Sequence, residues 1–241
     1  WSDEKFKTYT DRFYNTYWQA VAVEDLERNA LMVDMADKFE DNFTVNINVD
    51  EFQDISELSI YAEDHPGLFA RLTGAIALSG ASIQGARIFT TKDGMALDSF
   101  RIQDAEGKVF NEKAKLEKLQ KNIKDTLSGK IKPREVFDRR RANKKRTDIF
   151  KVEPRVLIDN KASNSRTVIE LNGRDRIGYL FDLSQVLVDL KLSISSAHIA
   201  TYGERAITVF FVRDLFGHKI TNEEKLKTIE DKLMQTLREE Q

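Results

Sequence analysis

The sequence contains no cysteine, which excludes disulfide staples and thiolate nucleophiles and suits a reducing compartment. It also lacks a dominant charge: 38 basic residues stand against 40 acidic ones, for a net charge of −2. No global field therefore steers the chain to nucleic acid or to a membrane surface. No apolar run approaches the roughly 18 residues that a membrane span requires, and no signal-peptide pattern opens the chain. His65, His198 and His218 lie far apart, without metal-ligand spacing. Phosphate-binding glycine loops, dinucleotide fingerprints and nucleophile elbows are missing as well. The acidic residues are dispersed over helix faces. These absences point to a soluble, cytoplasmic segment with no catalytic constellation and no metal centre. A first residue of Trp1 in place of methionine is expected of a piece of something longer.

What is present is an internal repeat, the feature that fixes architecture first. Asp64, Gly67, Leu72, Ser82, Ile83, Ala86, Ile88 and Thr90 recur 111 residues later as Asp175, Gly178, Leu183, Ser193, Ile194, Ala197, Ile199 and Thr201. Within a copy, Leu58 and Ile60 alternate with polar residues as in a half-buried strand, a turn follows at Asp64–Gly67, and Leu68, Leu72, Ala75 and Ile76 take helical spacing up to a left-handed cap at Gly80. Strands over Ser82–Thr91 and Met95–Gln103 flank Lys92-Asp93-Gly94, a hairpin signal. Amphipathic helices over Glu112–Leu127 and Asn222–Arg238 close the copies.

Each copy is preceded by one further strand, marked by Val45 and Ile47 in the first and Val156 and Ile158 in the second. Paired with its neighbour, this strand fills the edge position that a final strand would take in a ferredoxin-like sheet. The expected fold is α+β: two sandwiches, each a four-stranded antiparallel sheet with two helices on one face. Residues 1–41 form a helical lead-in, 42–128 the first domain, 129–149 a basic linker and 150–241 the second domain. In the lead-in, Phe6, Tyr9, Phe13 and Tyr17 share a helical face, and Leu26, Ala30, Val33 and Met35 mark a second helix. Packing against the first domain or an upstream one accounts for these aromatics. An aromatic nucleic-acid platform would need interleaved basic residues. The linker holds nine basic residues from Lys130 to Arg146 against two acidic ones. A solvated, extended segment is the ordinary outcome of such a run, and an anionic partner the alternative.

The chemistry concentrates in the turn between strand and helix. Pro66 suits a first helical position. The following backbone amides lack intrahelical acceptors and, with the helix dipole, favour a carboxylate. Gly67 leaves room for close approach, and Asp64 is an acceptor for an ammonium group. A carboxylate acceptor beside amide donors is what an α-amino acid requires. The same residues also serve as a cap and a packing position without any ligand, and both readings stand for Asp64/Gly67 and for Asp175/Gly178.

The segments Asp64-His65-Pro66-Gly67-Leu68-Phe69, Ala86-Arg87-Ile88-Phe89-Thr90-Thr91-Lys92-Asp93-Gly94 and Ile169-Glu170-Leu171-Asn172-Gly173-Arg174-Asp175-Arg176 resemble ACT domains. More closely, they resemble the C-terminal tandem ACT region of bacterial PII uridylyltransferases, and Ile194–Arg205 and Asp214–Lys219 extend the likeness. The resemblance implies a regulatory segment that binds glutamine or another small amino acid. It would report to upstream catalytic domains that add UMP to PII signalling protein and remove it. It implies contacts from Asp64, Gly67 and Leu68 with Ser82, Ile83 and Gln84, and from Asp175, Gly178 and Tyr179 with Ser193, Ile194 and Ser195. It implies no cofactor in this segment, magnesium belonging to the catalytic domains, whose motifs are absent here. Pairing of ACT domains within one chain or in a homodimer is left open. Ile177 departs from the family pattern, which has proline at that turn. A scaffold for dimerisation or PII docking is the alternative role.

Overall fold

The computed structural model describes residues 1–39, 43–142, 152–202 and 204–239. The lead-in comprises α1 (Asp3–Asp11), α2 (Asn15–Ala20) and α3 (Val23–Phe39). The first repeat runs β1 (Phe43–Asp50), β2 (Ile55–Glu63), α4 (Leu68–Ser79), β3 (Ser82–Thr90), β4 (Met95–Gln103) and α5 (Lys113–Leu127). Helix α6 (Pro133–Ala142) follows. The second repeat runs β5 (Arg155–Asp159), β6 (Thr167–Arg174), α7 (Tyr179–Asp189), β7 (Leu192–Tyr202), β8 (Arg205–Asp214) and α8 (Glu223–Glu239).

The expected α+β architecture is present. Each leading strand pairs antiparallel at the edge of its half, β1 on β2 and β5 on β6. The two halves join into one eight-stranded antiparallel sheet, in the order β1-β2-β4-β3-β7-β8-β6-β5. The seam is symmetric. Gly85 faces His198, Ala86 faces Ala197 and Arg87 faces Ser196, so Ala86 meets its own counterpart in the repeat. The domains thus pair within one chain, answering the question the sequence left open.

Alternation along the strands sends side chains to two faces. Leu58, Ile60 and Ala62 of β2 join Leu72 and Ile76 of α4 and Leu119 and Ile123 of α5 in a core that continues through Ile169, Leu171, Leu183, Phe210, Ile229 and Leu233 of the second repeat. From the opposite face of the first half, Tyr61 and Leu97 pack with Tyr9, Phe13, Tyr17, Met32, Val33 and Ala36 of the lead-in. The first half is therefore covered on both faces. The Tyr17 ring stands edge-on to Phe89 at 5.1 Å and accepts a hydrogen bond from Asn29 Nδ2 at its hydroxyl, 3.2 Å away.

Three expectations are corrected here. The leading helix is broken after Asp11, and Phe6 and Met35 stay exposed, at 59% and 55%. Tyr9, Phe13 and Tyr17 pack inward without Phe6, and on α3 Met32 and Ala36 take the inward positions around Val33. The linker is not simply extended, because α6 occupies its first part. Phe137 of α6 is 2% exposed and packs with Leu78 and Phe181, a sufficient apolar anchor to fold a basic segment onto the domains. The rest of the basic run, residues 143–151, lies outside the described residues. Finally, Pro66 does not occupy the first helical position: Gly67 is the N-cap and the helix starts at Leu68.

Gly74 explains how closely the helices approach. A Cβ there would stand 2.7 Å from Pro133 Cβ and 2.9 Å from Phe181 Cδ2, so α4 meets α6 and α7 through a position only glycine fills.

Candidate functional site

The two turns are built alike. Gly67 and Gly178 cap α4 and α7 at φ 87° and φ 83°, a left-handed conformation that side chains resist. Within each turn the amide after the glycine is already used: Leu68 N donates to His65 O and Tyr179 N to Arg176 O, both at 3.0 Å. Leu68 and Tyr179 are buried, at 3% and 5%, and belong to the core. The amide donors left for a ligand are those further into the first turn of each helix.

Their surroundings differ. Asp64 accepts a hydrogen bond from Thr90 Oγ1 at 2.8 Å, and Gly67 lies near Val188 at the end of α7, with 3.7 Å from a Cβ to Val188 Cγ1. At the second turn, a Cβ on Gly178 would sit 3.3 Å from the Phe137 ring, so the space beside this glycine is filled by α6. On its other side the second turn opens into a cleft of about 580 Å³. Asp175, Arg176, Ile177 and Gly178 form one wall of this cleft. Ser82, Ile83 and Gln84, at the start of β3 in the first domain, form another. Ile177, in the same wall, is 65% exposed.

The structure thus brings Asp175 and Gly178 together with Ser82–Gln84 of the other repeat. It does not bring them to Ser193–Ser195 of their own repeat, as the sequence suggested. The reason is the seam. Antiparallel pairing of β3 with β7 sets the end of α4 and the start of β3 beside the start of α7. Ser193, Ile194 and Ser195 instead line a separate cleft. Thr201 was missed as a lining residue, although it is the counterpart of Thr90, which holds Asp64.

Burial of the turn raises the Asp175 carboxyl above the ordinary carboxylate value, outweighing the hydrogen bond and positive charge of Arg176 that pull it down. Arg176 pairs with Asp182 in the first turn of α7 at 2.5 Å, which fixes the wall. On the facing side Gln84 Nε2 donates to Ser82 Oγ at 3.1 Å, so the Gln84 carbonyl oxygen is directed by a partner in the same wall. The cleft combines two carboxylates, Asp104 and Asp175, with hydroxyl and amide side chains and an apolar floor from Ala77 and Ile199. Asp104 is held in its own turn, accepting from the amides of Glu106 and Lys108. Such a mixture is what a small zwitterion with a polar side chain requires. Among the described residues no group of three histidine, cysteine or carboxylate side chains is placed to hold a metal, and no helix is long and apolar enough to cross a membrane.

Comparison with known proteins agrees with this architecture. Residues 56–123 match the ACT domain family, and residues 162–240 match the ACR family N-terminal ACT domain. The bifunctional uridylyltransferase/uridylyl-removing enzyme of Azospirillum brasilense is 50% identical over 226 residues, which is 93% of this chain and 24% of that protein. The enzyme of the same name from Gluconobacter oxydans is 42% identical over 233 residues, covering 94% of this chain and 25% of that protein. A crystal structure of a putative glycine cleavage system transcriptional repressor is 13% identical with a TM-score of 0.27, covering 76% of this chain and 91% of that one. The chain spans about a quarter of the length of the enzymes it matches. It is a tandem pair of ACT domains, homologous to part of the bifunctional uridylyltransferase/uridylyl-removing enzymes.

Proposed function

We propose that the cleft between the second turn and β3 is a regulatory amino-acid site, that its ligand is glutamine, and that occupancy controls uridylylation and deuridylylation of PII by catalytic domains elsewhere in a longer protein. The observation that carries this reading is the cleft's composition: Asp175 beside the α7 N-terminus on one domain, Ser82 and Gln84 on the other. The ammonium group goes to Asp175, the carboxylate to the free amides of the first turn of α7, and the side-chain amide to Ser82 and Gln84. A ligand held this way spans both domains, so its binding free energy depends on how they sit together, which is what a regulatory signal needs.

Calorimetric titration with glutamine, with glutamate as control, tests the reading. Saturable heat with glutamine and at least tenfold weaker binding of glutamate are expected, because a carboxylate cannot donate to the acceptor that a side-chain amide satisfies. The Phe137 ring against Gly178 favours a second reading, in which the turns are structural and the tandem domains act as a scaffold for docking. Absence of saturable heat with any small amino acid would establish that reading instead.

A further inference from the structure

The sheet has a second cleft on the face away from α4 and α7. Register places Arg87 of β3 beside Ser196 of β7, and Ser193 of β7 beside Arg213 of β8. Val168 pairs with Phe211, so Arg166, two residues before Val168, lies on the same face as Arg213, two residues after Phe211. The three arginines line a cleft of about 680 Å³, closed on one side by Tyr14, Thr16 and Gln19 around the start of α2.

The arginines are poorly satisfied. None of the three forms an ion pair with a described carboxylate, and the Nε atoms of Arg166 and Arg213 are buried without a hydrogen-bond partner. Burial, followed by the charge of Arg213, lowers the proton affinity of Arg166, as expected of two guanidinium groups held close together. Arg87 also lines a small neighbouring recess with Asp25 and Glu57, and its charge pulls on the Asp25 carboxyl without forming an ion pair. The one carboxylate in the lining, Asp214, is committed to its own turn, accepting from the amides of Phe216 and His218 at 2.9 and 2.8 Å. Three arginines and one aspartate leave the lining with two surplus positive charges. A monovalent carboxylate would neutralise only one of them, whereas a phosphate group carries about −1.5 to −2 at neutral pH and fits the guanidinium fork.

We infer that this cleft binds a small phosphate-bearing anion, held by Arg87, Arg166 and Arg213 with hydroxyl donors from Ser193 and Ser195. The volume exceeds that of free phosphate and leaves room for a diphosphate or a phosphate ester. The lining holds no lysine and its permanent positive charge is confined to these three arginines, which suits one compact anion better than the run of phosphates of a nucleic-acid strand. Arg87 comes from the first domain, Arg166 and Arg213 from the second, and one wall from the lead-in. An occupant therefore ties all three together.

Pyrophosphate is the probe. Calorimetric titration of the 241-residue chain at constant ionic strength should show saturable one-to-one binding, with a rise in melting temperature over a chloride control. Arg166→Gln and Arg213→Gln should each weaken binding at least tenfold. Arg87→Gln should weaken it several-fold, and Arg155→Gln, on the far edge strand, should leave it unchanged. Inorganic phosphate binding as tightly as pyrophosphate and organic phosphate esters would assign the site to the free anion. Should a buried-arginine variant fail to fold, the exposed Arg87→Gln decides. Pyrophosphate binding that is non-saturable, or identical in wild type and folded arginine variants, overturns the inference, as does binding of an acidic peptide without any binding of phosphate compounds.

Discussion

Asp98 on β4 is the most exposed point of the account to experiment, because it is 1% solvent-accessible and neither carboxyl oxygen has a hydrogen-bond partner. Its counterpart in the second repeat is Thr208, a neutral residue that is also fully buried. Burial raises the Asp98 carboxyl well above its ordinary value, and the nearby charge of Asp64 adds to the effect. A carboxyl raised on folding binds more protons in the native state than in the unfolded one. Its favourable contribution is therefore complete below the unfolded pKa and is lost as pH rises through the folded pKa. Asp98→Asn keeps the shape and removes the ionisation. Between the unfolded and folded pKa values, wild-type stability should fall relative to the variant by about 1.4 kcal/mol per pH unit. Urea unfolding of both proteins at half-unit steps from pH 4 to 8 measures this difference, since titrating groups that do not interact with Asp98 cancel. At the alkaline end the variant should be the more stable one. Parallel stability profiles across the range would refute the burial of an unpartnered carboxyl at this position.

Other consequences are as specific. Gly74→Val should destabilise the chain by about 2–4 kcal/mol, because contacts near 2.7–2.9 Å to Pro133 and Phe181 force α4 away from α6 and α7; chemical denaturation gives the number. Ile158→Asp should cost about 2–3 kcal/mol, since Ile158 packs on the main core from the leading strand, and unchanged melting would remove the strand from the core. Gly178→Ala should cost about 1–2 kcal/mol from its φ of 83° and the Phe137 ring 3.3 Å away. Bulky residues at either turn glycine thus strain the fold as well as obstruct a ligand, so side-chain truncations are the cleaner probes of binding.

Most of the fold was legible because the chain states it twice. Alternation in Val45–Ile47 and Val156–Ile158 and the helical spacing from Leu68 identified elements that local physics also favours. The seam was not legible. Backbone hydrogen bonds join β3 to β7, and a small apolar pair, Ala86 and Ala197, looks like any other buried strand position. Without the seam, each turn is naturally matched to the strand that follows it in sequence, which assigns Asp175 to Ser193–Ser195 instead of Ser82–Gln84. Helix α6 was hidden for a different reason. Its charges dominate the composition, whereas one ring, Phe137 between Leu78 and Phe181, decides where it packs. The arginine cleft escaped notice because Arg87, Arg166 and Arg213 are remote in sequence and converge only through sheet register.

The central claim is that the amino-acid site is shared across the seam, and a double-mutant cycle on glutamine affinity tests it most directly. Asp175→Ala should weaken binding about ten- to hundredfold, the loss of a charge-assisted hydrogen bond, and Gln84→Ala about tenfold. The two changes together should cost less than their sum, because both truncations free the same ligand. Ser193→Ala and Asp64→Ala should be without effect. Coupling of Asp175 to Ser193 in place of Gln84, or wild-type glutamine affinity in the Asp175→Ala and Gln84→Ala variants, would contradict a site built between the domains.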